Sequence, residues 1–159
     1  QRLTPCLVIK SIYKGNPISK TMIIETEILI KLLLSAGLGA AIGVERQIHK
    51  KPAGLRTHAL VALGACLFTI TGLVLVGTNG DALSRVLQGV ITGIGFLGAG
   101  IIFQAKDRVR GLTTAAEIWS LAAIGILVGL GSFMTAVIAT ILILIILVPF
   151  RWFEKKIEK

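Results

Sequence analysis

The feature that most constrains this chain is a series of five apolar stretches, each roughly 17 to 20 residues long, the length a helix needs to cross a bilayer. They run from about Glu27 to Val44, Ala59 to Val76, Val86 to Phe103, Thr113 or Thr114 to Leu130, and Phe133 to Phe150. Hydrocarbon offers the backbone no hydrogen-bond partner, so a spanning segment must bond to itself or to a closed barrel. Continuous apolar runs of this length are therefore helices, and the expected fold class is all-α, a polytopic membrane helix bundle of about five transmembrane helices. Composition agrees: 54% of the 159 residues are hydrophobic and 16% charged, where soluble domains carry roughly a quarter charged residues. Mean hydropathy is +0.85.

Residues 1–21 differ from the rest. They carry Arg2, Lys10, Lys14, Lys20 and two prolines, and lack the apolar core of a signal peptide. They read as a disordered tail, or as an extension upstream of a natural start at Met22. Residues 22–159 form the transmembrane domain.

The cations fall in an alternating pattern. Arg46, Lys50, Lys51 and Arg56 lie in the first connection, Lys106, Arg108 and Arg110 in the third, and Arg151, Lys155, Lys156 and Lys159 after the last stretch. The second connection offers only Arg85 and the fourth none. The positive-inside rule then puts the basic connections and the C-terminus on the cytoplasmic side of a multi-pass membrane protein. The net charge of +9 is accounted for by topology and the anionic leaflet, so no nucleic-acid partner is expected.

Small residues recur at helical spacing. Gly39 pairs with Gly43 in the first stretch; Gly89 pairs with Gly93 and Gly95 with Ala99 in the third, which also holds Gly98 and Gly100. Such faces let membrane helices approach closely, and a bulky residue at Gly93 or Gly98 is expected to disrupt packing. Gly93, Gly95 and Gly98 also spell a literal GxGxxG, with Glu117 about twenty residues on, as in dinucleotide-binding folds. No strand or soluble βαβ unit surrounds it, so no cofactor is expected.

Polar residues gather at the predicted cytoplasmic edge: Glu45, Arg46, Lys51, Arg56, Arg110, Thr113, Thr114 and Glu117. An unpaired carboxylate in hydrocarbon costs about 3 kcal/mol on insertion scales, so Glu117 should face the bundle and find a partner. Arg46, Arg56 and Arg110 are the candidates. Thr57 could cap the second helix. His49 and His58 flank the first basic connection and read as solvated loop residues, since neighbouring cations disfavour a metal. Cys6 and Cys66 share no metal-type spacing, and Cys66 reads as a small buried hydrophobe. Magnesium prefers oxygen ligands, but the carboxylates sit at the edges beside cations, so ligand spacing does not support a bound Mg2+. No HExxH, Walker lysine or nucleophile elbow is present, and no catalytic residues are assigned; an enzyme is not expected.

Three long motifs occur in order: GAAIGVERQIHKKPAGLRTHALVALGA (Gly39 to Ala65), QGVITGIGFLGAGII (Gln88 to Ile102) and VRGLTTAAEIWSLAAIG (Val109 to Gly125). Together they resemble the MgtC/SapB family of bacterial inner-membrane proteins. The resemblance implies a compact multi-helix membrane domain linked to magnesium homeostasis, adaptation to low magnesium and survival inside host cells. It implies regulation of a membrane partner such as the F-type ATP synthase, with a magnesium or divalent-cation transporter or channel component as the alternative. Its signature positions here are Gly43, Glu45, Arg46, Lys51, Pro52, Gly54, Leu55, Arg56 and Thr57, then Gly93, Gly95, Phe96, Gly98, Gly100, Gly111, Thr113, Thr114 and Trp119. Many members append a soluble C-terminal domain, and this sequence resembles the short form without one. The expected partners are the lipid bilayer and a membrane protein, and the small-residue faces would also serve a homo-oligomer.

Overall fold

A computed structural model describes residues 17–77, 79–105 and 108–149. Helix α1 spans Pro17–Ile48, α2 Leu55–Val76 and α3 Gly80–Ile101; two short strands, β1 Phe103–Ala105 and β2 Arg108–Arg110, precede α4 Leu112–Gly129 and α5 Phe133–Leu147. Of the expected tail or extension over 1–21, residues 1–16 lie outside the described part, and 17–21 are helical. Four helices, α1 to α4, are long and apolar enough to cross a membrane. The fold is an all-α membrane helix bundle.

The fifth stretch is shorter than expected. Helix α5 has 15 residues, roughly 22 Å at 1.5 Å per residue, against a hydrocarbon core of about 30 Å. It stops ahead of Pro149, which lacks an N–H and disfavours helix at the residue before it.

Helix α4 forms the axis. All four other helices pack on it, and its Ile118, Leu121, Ala122, Ile124 and Val128 are buried. Leu121, Ile124 and Val128 join Ile42 of α1, Ala62 and Cys66 of α2 and Ala136 of α5 in the main core. A second cluster unites Ala65, Ala122 and Ile126 with Leu87, Val90 and Ile94 of α3. Phe68, Val74, Leu75 and Phe96 point outward and are largely exposed, as lipid-facing side chains are.

Glycines set the two closest helix crossings. A Cβ on Gly39 would stand 2.6 Å from the His58 carbonyl oxygen, and one on Gly43 would stand 2.6 Å from Leu55 Cα. Helices α1 and α2 therefore touch backbone to backbone. Gly125 and Gly129 do the same for α4 on α2, where added methyls would press on Ala65 Cβ at 2.8 Å and Thr69 Cβ at 2.7 Å. The glycines of α3 behave differently. A Cβ on Gly89, Gly93, Gly95 or Gly100 would meet nothing within 4 Å, and one on Gly98 makes only ordinary contact with Ala115 at 3.6–3.9 Å. The contact expected of the first four is not made inside the described chain, because α3 turns Leu87, Val90, Ile94 and Gly98 inward instead.

Three local expectations also change. The first connection is shorter than thought: α2 starts at Leu55 with Gly54 as its N-cap, not Thr57, and Leu55 N–H donates to Gln47 Oε1 at 3.3 Å. The third connection forms an antiparallel ribbon, with Phe103 opposite Arg110 and Gln104 opposite Val109. Helix α4 begins at Leu112, ahead of Thr113 and Thr114, and its N-cap Gly111 takes φ 88°. A side chain there would strike the Ile101 carbonyl, so the turn requires glycine on both counts.

Candidate functional site: a buried ion network

The close approach of α1 to α2 and of α2 to α4 carries polar groups into the packed interior. Arg46 lies in the last turn of α1, where a cation also suits the helix dipole. His58 lies one turn into α2. Thr114 and Glu117 are three apart on α4 and so share a face. Arg46 Nε stands 2.8 Å from Glu117 Oε2, with side-chain exposures of 5% and 2%. Arg46 Nη2 donates to Thr114 Oγ1 at 2.7 Å. Glu117 Oε1 faces His58 Nε2 at 3.2 Å, and His58 is fully buried. One carboxylate thus ties three helices.

The Gly54 carbonyl helps to orient the His58 ring. His58 Nδ1 lies 2.9 Å from the Gly54 carbonyl oxygen. A carbonyl only accepts, so Nδ1 carries hydrogen and donates. A neutral ring would then turn a bare Nε2 lone pair toward a carboxylate, which is repulsive. Beside this triad, His49 Nδ1 meets Glu45 Oε1 at 2.7 Å and the Glu45 carbonyl oxygen at 2.8 Å. Glu45 is buried and His49 exposed.

Of the three arginines weighed for Glu117, the structure brings Arg46. Arg56, Arg110 and Thr113 are exposed and enter no hydrogen bond or ion pair with this network among the described residues. Lys51 is also exposed; its backbone N–H donates to the Arg46 carbonyl at 3.0 Å. The reading of His58 as solvated is corrected, because the Gly43 crossing draws it into the core, whereas His49 is exposed. The Gly54-to-His58 spacing, one helical turn, was the available signal. The Gly125–Gly129 pair was a second overlooked one: a literal GxxxG on the helix that proves central. Cys66 is buried and unpaired with any other described cysteine, its thiol 3.8 Å from the Lys31 carbonyl. Among the described residues, no group of three or more His, Cys, Asp or Glu side chains is arranged to hold a metal ion.

Comparison with known proteins matches residues 32–156 to the model described as the MgtC family. Protein MgtC of Salmonella typhimurium is 48% identical over 116 residues, covering 73% of this chain and 49% of that protein. Protein SrpB of Synechococcus elongatus is 42% identical over 137 residues, 79% of this chain and 75% of its own. YhiD of Escherichia coli K12, whose name proposes a magnesium transporter, is 40% identical over 131 residues, 79% of this chain and 61% of its own. The chain spans about half the length of the MgtC proteins it matches. No solved structure matches it. The matched segment holds the glycine crossings and every member of the ion network, and on that extent of similarity the chain belongs to the MgtC family.

Proposed function

We propose that this protein is a non-enzymatic component of bacterial inner-membrane magnesium homeostasis that acts by docking α3 against a membrane partner, the F-type ATP synthase being the leading candidate. The observation that carries the reading is the outer stripe of α3. Gln88, Thr92, Gly95 and Ala99 recur at i, i+4, i+7 and i+11, a single helix face, and all four are exposed. Thr92 Oγ1 donates to the Gln88 carbonyl at 2.8 Å, while the Gln88 amide bonds to nothing among the described residues. A polar amide beside bare backbone is unfavourable against lipid tails and favourable against another helix. The basic connections support a cytoplasmic side for themselves and for the C-terminus in this reading.

The competing reading, a divalent-cation transporter, draws on the name of the Escherichia coli relative. It would use carboxylates, but Glu117 is already engaged by Arg46 and His58 and stands in a positive setting. A photo-crosslinker at Gly95, in cells starved of magnesium, tests the choice. Capture of an ATP synthase membrane subunit, lost when Ala99→Leu is added on the same stripe, supports docking. Absence of any membrane-protein adduct, together with magnesium flux through the purified protein in liposomes, overturns it in favour of transport.

A further inference from the structure

A different face of α3 bounds a groove. Helices α2 and α3 meet where Gly72 receives Val86, with an added Cβ only 2.9 Å from Val86 Cγ1. Toward the basic end they separate, leaving a cleft of about 750 Å³, within the roughly 300–1,000 Å³ of ligand sites. Its walls are apolar, its floor is bared by Gly64, Gly89 and Gly93, and Arg56 and Thr57 stand at its open end. A Cβ on any of those three glycines would meet nothing within 4 Å, so they are not helix-contact glycines like Gly39 or Gly125.

We propose that this groove binds one acyl chain of an anionic phospholipid, with the headgroup phosphate held by Arg56 and the Thr57 hydroxyl. Three observations select this occupant. From Arg56 to Phe68 the cleft runs about 18 Å along α2 at 1.5 Å per residue, close to the ~15 Å depth of one leaflet. The Gly72–Val86 contact closes its inner end, and a transmembrane helix of a partner or of a second copy, about 10 Å wide and crossing both leaflets, cannot pass a blind end. At the mouth, Arg56 is exposed and has no carboxylate partner among the described residues, and a guanidinium matches a phosphate in charge and donor geometry. Anionic lipid is also drawn to the basic edge of a membrane protein. The inference does not depend on the docking stripe, which lies on the outer face of α3.

Native mass spectrometry of the full chain, titrated with phosphatidylglycerol or phosphatidylcholine, tests it. One phosphatidylglycerol should be retained per chain in preference to phosphatidylcholine. Arg56→Gln should weaken phosphatidylglycerol retention about fivefold and erase the preference. Gly93→Leu, which fills the groove from α3, should abolish retention of both lipids, and Gly64→Leu, which fills it from α2, should reproduce the loss. Each variant is compared only if its thermal transition in detergent matches the parent, and the two glycine positions provide independent chances of meeting that condition. Equal retention of both lipids by the parent chain would overturn the proposal. So would unchanged retention in both folded glycine variants, or a crosslink from Leu60 to a second copy or another protein.

Discussion

Removing the carboxylate at position 117 gives a graded test of the ion network. Glu117→Ala leaves the Arg46 guanidinium, 5% exposed, without a counter-charge, a loss of roughly 3–5 kcal/mol when one partner of a buried pair is deleted. Glu117→Gln should cost far less. Its amide oxygen can accept from Arg46, and its N–H can donate to His58 Nε2, whose ring then keeps hydrogen on Nδ1 alone. Gln also removes the anion opposite Arg46, but unlike Ala it leaves the guanidinium and the His58 ring a hydrogen-bonding partner. What remains is the exchange of charge-assisted bonds for neutral ones, about 1–2 kcal/mol. Replacing both partners, Arg46→Met with Glu117→Leu, should recover most of the Ala loss, since apolar substitutes for a buried pair are often neutral. Reversible unfolding in mixed detergent–SDS micelles measures all of these. The reasoning fails if Glu117→Ala lies within about 0.5 kcal/mol of the parent, or if Gln is as costly as Ala.

Two further outcomes follow from the packing. Gly43→Ala sets a methyl 2.6 Å from Leu55 Cα and 3.0 Å from His58 Cβ, and overpacking of this kind costs about 1–3 kcal/mol. Gly37→Ala meets nothing within 4 Å and should gain up to about 1 kcal/mol from helix propensity, so thermal melts in detergent should shift in opposite directions. In a Cys6→Ser background, Cys66, which is 0% exposed, should resist N-ethylmaleimide in native membranes and react fully after SDS denaturation; rapid native labelling would contradict the α1–α2–α4 core.

Helix number and order were legible because hydrocarbon permits so few backbone solutions. Apolar runs of spanning length could only be helices, and α1 to α4 lie where the runs do. Their ends were less legible. Thr57 looks like a cap and Thr113 or Thr114 like the start of the fourth stretch, but Gly54 and Gly111 cap those helices, since backbone approach and left-handed φ outrank a hydroxyl acceptor there. The requirement that Glu117 be paired was readable from charge and hydrocarbon alone. Which arginine met it was not, because that depends on the crossing point of α1 and α2. His58 was missed for the same reason: a histidine beside lysines looks solvated until a neighbouring glycine shows how near the next helix comes. The α3 glycines misled in the opposite sense, since small residues at helical spacing signal close approach without saying whether the partner is protein or lipid.

The network at Glu117 draws its members from α1, α2 and α4 and none from α3 or α5 among the described residues. Moving any of the first three relative to the others must break a polar contact to the Glu117 carboxylate inside a medium that cannot replace it. Tilting α3 disturbs only methyl and methylene contacts, which hydrocarbon tails replace at little cost. The molecule is thus mechanically uneven, a stiff three-helix post with a compliant fourth stave, and displacement imposed from the membrane will be taken up first along the seam between α2 and α3.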